Sequence, residues 1–137
     1  MKVELKRVNN AFHFEAVGAA EVPVHIDGSL EIGGENAGAR PMEMILMGLG
    51  GCSAIDIVLI LQKQRQVIED MAISIEGHRV PNETPSVFQT IHVHYSFKGD
   101  LSEEKVRRAI DLSMEKYCSV TAILNKTAVI THSFSIN

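Results

Sequence analysis

Residues Met44 to Leu61 are 18 consecutive positions carrying a single charge, Asp56. A helix that is apolar on every face belongs in a membrane, in a protein core, or at a seam between two copies. The membrane fits poorly. The run contains Gly48, Gly50, Gly51 and a carboxylate, has no aromatic belt, and is followed and preceded by amphipathic strand patterns. A buried core helix is the better reading. One modest sheet covers only one side of such a helix. The other side needs a partner, and a second copy of the same helix is the simplest one. The glycines would let two backbones approach closely, so a homodimer is expected, with no membrane insertion.

The flanking patterns define the rest. Val3 to Val8 alternates, Asn9-Asn10 suits a tight turn, and Phe12, Phe14 and Ala16 alternate again. Val22, Val24 and Ile26 suggest a third strand, which Pro23 consigns to an edge. Four glycines within residues 28–40 mark a loop. Pro41 fits the first turn of the apolar helix, which is expected to run to about Gln66. Met71, Ile73 and Ile75 alternate, and so do Ile91, Val93, Tyr95 and Phe97. Ser102 followed by Glu103 and Glu104 starts a helix with an N-cap and two acids in its first turn. Val106, Ala109, Ile110, Ser113 and Tyr117 share its inner face. A break near Cys118, a short helix to Leu124 and a strand through Ile130, His132, Phe134 and Ile136 complete the chain. The order βββ-α-ββ-αα-β is that of an α+β protein, a curved antiparallel sheet packed on a central apolar helix. Its 137 residues suit one domain spanning 1–137.

The formal charge of −4, with no local cluster of Lys and Arg, argues against nucleic-acid binding. The N-terminal MKVELKRV lacks the apolar core of a secretory signal, and only two cysteines are present. Both point to a reducing cytoplasm. No phosphate loop, dinucleotide fingerprint or Ser-His-Asp arrangement calls for a cofactor. His92-x-His94 has no evident third ligand and reads as a solvated strand face rather than a metal site.

Cys52 and Cys118 read by default as small buried hydrophobes, with the halves of a redox pair as the competing reading. Asp56 lies four residues beyond Cys52, about 40° round the helix, so the two side chains share a face. A nucleophilic thiolate needs a cation or a helix N-terminus nearby. Arg40, Arg7 and Lys116 are the candidate cations. If Cys118 starts a helix, the free N–H groups there favour its thiolate.

Two segments carry a family resemblance. Pro41-Met42-Glu43-Met44-Ile45-Leu46-Met47-Gly48-Leu49-Gly50-Gly51-Cys52-Ser53-Ala54-Ile55-Asp56 resembles the first cysteine motif of the OsmC/Ohr family. Glu115-Lys116-Tyr117-Cys118-Ser119-Val120 resembles the second, and the YhfA-like subgroup is the most similar. The resemblance implies an intertwined homodimer and a thiol-dependent peroxidase that acts on organic hydroperoxides in oxidative stress defence. It assigns Cys52 as the attacking (peroxidatic) thiol and Cys118 as the resolving one, with a lipoyl-type or similar dithiol as reductant. Catalytic members place a Glu directly after the proline and recruit an Arg from the N-terminal strands. Here Met42 follows the proline, and Glu43 and Arg40 are the candidates for those two roles. Glu43 is about 180° round a straight helix from Cys52 and about 13 Å along it, so it would act from the partner chain. The alternative is the same dimer binding a small lipophilic or thiol ligand near Cys52 without turnover.

Overall fold

The structure is a computed structural model that describes residues 1–137. Its contacts fall into two compact units, Met1–Ile45 and Leu46–Asn137. The expected element order is present throughout.

In the first unit β1 (Glu4–Arg7), β2 (Phe14–Val17) and β3 (Val24–Ile26) form an antiparallel sheet in that order. Pro23 thus precedes an edge strand. The β1–β2 turn is held by Asn9, whose Oδ1 accepts from the N–H groups of Ala11 and His13 at 3.0 and 3.1 Å. The glycine-rich loop is organised by one carboxylate. Asp27 is buried and accepts from the backbone N–H groups of Gly28, Glu35 and Ala37 at 2.7–3.1 Å. The loop reverses at Gly33, whose φ of 102° favours glycine. At Gly34 a Cβ would stand 2.0 Å from the carbonyl oxygen of Gly28, so no larger residue fits that closure.

Helix α1 (Pro41–Lys63) begins in the first unit and continues into the second. It stops before Gln66 because Arg65 turns left-handed, φ 58°, and the Gln66 N–H folds back onto the carbonyl of Leu61 at 2.9 Å. In the second unit β4 (Asp70–Arg79), β5 (Phe88–Lys98) and β6 (Val129–Ile136) form a sheet with β5 central. The wholly antiparallel sheet expected from the sequence is corrected at one pairing: β4 and β5 are antiparallel, but β5 and β6 run parallel. The cause is the connection, residues 99–128. It is a helical crossover, long enough to bring the chain back to the same end of the sheet. That crossover holds α2 (Glu103–Leu112), a π-helical turn (Ser113–Tyr117) and α3 (Ser119–Leu124).

The core of this unit follows the sequence patterns. Leu49, Ile57 and Leu61 of α1, Ile91, Val93, Tyr95 and Phe97 of β5, and Val106, Ala109 and Ile110 of α2 are all buried. Each buried Val, Leu, Ile or Phe among them contributes about 1.5–3 kcal/mol by leaving water. The other face of α1 is not covered: Met47, Ile55 and Leu59 are 56, 64 and 49% exposed.

Candidate active site

The site is assembled at the junction of α1, β5 and the π-helical turn. Cys52, on α1, is half-buried, while Cys118 is buried at the first position before α3, and both are free thiols. Their sulfurs and a carboxylate oxygen of Asp56 all lie within 4.8 Å of one another. Asp56 reaches the sulfurs because it sits one helical turn beyond Cys52 on the same face. Cys118 reaches them because the π-helical turn ends the α2 run and directs the chain into a new helix. The Cys118 N–H bonds the Ser113 carbonyl at 2.8 Å, closing that turn.

Cys118 caps α3, as the sequence suggested for a cysteine at a helix start. Its Sγ accepts from the Thr121 N–H at 3.4 Å. Burial nevertheless holds the Cys118 thiol above the usual range. Thr121 opposes the shift, and the neighbouring Cys52 reinforces it. Cys118 is therefore a protonated thiol near neutral pH.

Beneath the sulfurs runs a polar network that the sequence did not reveal. The Tyr95 hydroxyl donates to Ser53 Oγ at 2.8 Å, and Ser53 Oγ donates to the Gly50 carbonyl at 3.2 Å. The Ser113 hydroxyl donates to Asp56 Oδ2 at 3.0 Å and lies 3.4 Å from the Ser53 carbonyl oxygen. Met114 Sδ sits 3.5 Å from the Tyr95 hydroxyl and 3.7 Å from Thr121 Oγ1. Burial pushes the Tyr95 pKa up to about 12. The Ser53 bond opposes this, and Cys118 and Asp56 add to the rise, so the phenol stays a donor. The available signal was polar residues at inward positions, Ser53 and Ser113 on apolar helix faces and Tyr95 on a core strand. Buried hydroxyls there must find partners.

A cavity of about 370 Å³ opens beside the carboxylate, lined by Asp56, Leu59, Ile60, Lys63, Leu112 and Tyr117 among others. Lys63 is a cation that the sequence reading did not single out. Arg40 and Arg7, two of the cations expected from the sequence, are engaged by their own loops. Arg40 bonds the Gly38 carbonyl and the Asn36 side chain. Arg7 bonds the Asn10 and Ala11 carbonyls of its own hairpin. Lys116 Nζ lies 5.3 Å from the Tyr117 ring centroid. Glu43 accepts from the Arg40 N–H at 2.8 Å, the reciprocal half of a capping box at the start of α1. Cys52 and Cys118 are thus brought to each other, and Arg40 and Glu43 to each other. The ring nitrogens of His92 and His94 face the hydroxyls of Thr131, Ser133 and Ser135 at 2.7–3.3 Å, a polar ladder between β5 and β6.

Residues 33–133 match the family model for OsmC-like proteins. The chain is also 50% identical over 97 residues to the protein YhfA of Escherichia coli K12, a match that covers 70% of this chain and 72% of YhfA. This chain belongs to the OsmC-like family. Solved structures bear the same fold. A hypothetical protein from Aquifex aeolicus superposes with a TM-score of 0.82 at 30% identity, covering 99% of this chain and 96% of that one. An organic hydroperoxide resistance protein, OsmC, from Legionella pneumophila superposes at 0.71 with 16% identity, covering 98% and 97%. The OsmC-like fold is therefore kept across a wide range of sequence, and in this member it brings the two cysteines to one site.

Proposed function

We propose that this OsmC-like protein is a thiol-dependent peroxidase that reduces organic hydroperoxides through Cys52 and Cys118. The observation that carries the reading is the pair itself: a half-buried thiol and a buried one, with sulfurs within 4.8 Å. Cys52 is the more accessible of the two, so it is the sulfur a hydroperoxide meets. It attacks the O–O bond, takes one oxygen as a sulfenic acid and releases the alcohol. Cys118 then displaces the hydroxyl of that sulfenic acid, forming the disulfide and one water. A dithiol reductant, lipoyl-type or similar, returns both thiols by exchange and is itself oxidised to a disulfide. The likeness to an organic hydroperoxide resistance protein supports the substrate class. Leu59, Ile60, Leu112 and Tyr117 in the adjoining cavity suit an alkyl chain, with Asp56, Lys63 and Gln64 supplying its polar part.

The proposed assembly is a homodimer. Met47, Ile55 and Leu59 expose an apolar face on α1, and a Cβ added at Gly48 or Gly51 would meet nothing within 4 Å. A second copy seated there would cover this face. A reducing compartment such as the cytoplasm would keep the thiols ready.

The second reading, a dimer that binds a small lipophilic or thiol ligand without turnover, is favoured by one observation. Arg40 and Glu43, the candidate activating pair, are bound to each other and to their own loop. Steady-state consumption of a dithiol in the presence of an organic hydroperoxide separates the two. Turnover that Cys52→Ser abolishes supports the peroxidase. Tight ligand binding with no dithiol consumption supports the binding protein.

A further inference from the structure

The two thiols are not alone at their meeting point. Asp56 adds a third donor atom, and each pair among the three lies within 4.8 Å. In a tetrahedral zinc site the metal–sulfur bonds of about 2.3 Å place two sulfurs about 3.8 Å apart, with sulfur–oxygen separations slightly shorter. The three donors therefore need to close by no more than about 1.3 Å to share one ion. The supports resemble those of a metal site. Cys52 and Asp56 stand four residues apart on one helix face, the spacing by which a helix chelates. Asp56 Oδ2 is fixed by the Ser113 hydroxyl at 3.0 Å, leaving Oδ1 for another partner. Cys118 is oriented by the Thr121 N–H. Such outer hydrogen bonds aim ligands at a metal. Cys52 and Asp56 keep partial exposure, so a fourth position stays open to water or a small ligand.

We infer that the reduced protein binds one thiophilic divalent cation, of the zinc class, through Cys52 Sγ, Cys118 Sγ and an oxygen of Asp56. The ion displaces the thiol protons as it binds, and the two thiolates so formed select against calcium and magnesium, while a mixed sulfur and oxygen set in tetrahedral geometry suits zinc. While occupied, the site leaves neither sulfur free to attack. The inference concerns the reduced donors alone and does not depend on hydroperoxide turnover.

The test uses Co²⁺ as a spectroscopic stand-in, titrated into the reduced full-length protein. The expected result is a thiolate-to-cobalt charge-transfer band that saturates at one ion per chain and is displaced by Zn²⁺. Cys52→Ser and Cys118→Ser should each cut the band by about half and weaken binding at least tenfold. Asp56→Asn keeps both sulfurs, so it should retain the band with weaker affinity. Absence of the band in the wild-type chain would overturn the proposal. So would a band and affinity that neither single cysteine variant changes. A protein that shows the band yet does not react with hydroperoxide upholds the cation site while removing the peroxidase reading.

Discussion

Asp27 and Tyr95 show what single buried polar groups do in this chain. The N–H of Glu35 lowers the Asp27 carboxyl pKa below its ordinary 3.8. Burial works against this, while the N–H groups of Ala37 and Gly28 and the nearby His13 assist. A carboxyl depressed in the folded state stabilises that state above its unfolded pKa, and the contribution disappears as pH falls through the lower folded value. The Asp27→Asn variant should melt below the wild type at pH 7. The gap in Tm should narrow once the pH drops below about 3.8. Tyr95→Phe removes the donor to Ser53 without changing packing, and should lower stability by about 0.5–1.5 kcal/mol in urea denaturation. Cys52 and Asp56 were legible from helical spacing alone. Tyr95 and Ser113 were not, because their partners lie 42 and 57 residues away in sequence, on other elements. Periodicity reports which way a side chain faces, not what it meets.

At the level of elements, the helices were the most legible part. Ser102 caps α2 through its Oγ, and Val106, Ala109, Ile110 and Ser113 are buried as their spacing predicts, whereas Tyr117, expected on the same face, is 50% exposed because the π-helical turn shifts the register beyond Ser113. The inward alternation of β5 is equally faithful, with Ile91, Val93, Tyr95 and Phe97 all buried. What the pattern did not carry was strand direction, since alternation is the same in parallel and antiparallel pairs. The clue lay in the connection: a segment with two helices between Lys98 and Val129 is a crossover, not a hairpin. Gly77 of β4 marks where α1, β4 and β5 press together. A Cβ there would approach Phe88 Cε1 to 2.7 Å and Leu46 Cδ1 to 3.2 Å. Gly77→Ala should cost about 1–3 kcal/mol by overpacking, measured by chemical denaturation. Gly51→Ala, which meets nothing within 4 Å inside the chain and lies mid-helix, should raise the stability of the isolated chain by about 0.5–1 kcal/mol.

For the whole molecule, the apolar helix that most constrained the sequence reading is also the feature left incomplete within one chain. Leu49, Ile57 and Leu61 are satisfied by the chain's own core, whereas Met47, Ile55 and Leu59 face outward. Ile55→Glu combined with Leu59→Glu should convert the proposed dimer to a soluble monomer in sedimentation velocity. A dimer undisturbed by both charges would place the interface elsewhere. The resemblance reached the family and the cysteine pair because two long motifs carry it. Within one chain Glu43 caps α1 and Arg40 clamps its loop; the role the resemblance implies for Glu43 is one played across the proposed dimer.

The most direct test of the redox pair is peptide mass analysis of reduced protein given one equivalent of an organic hydroperoxide. The expected product is a Cys52–Cys118 disulfide within one chain. In Cys118→Ser the expected product is a Cys52 sulfenic acid that a sulfenic-acid-specific label traps. Oxidation no faster than that of a free thiol, or a modified Cys118 with Cys52 untouched, would contradict the redox pair.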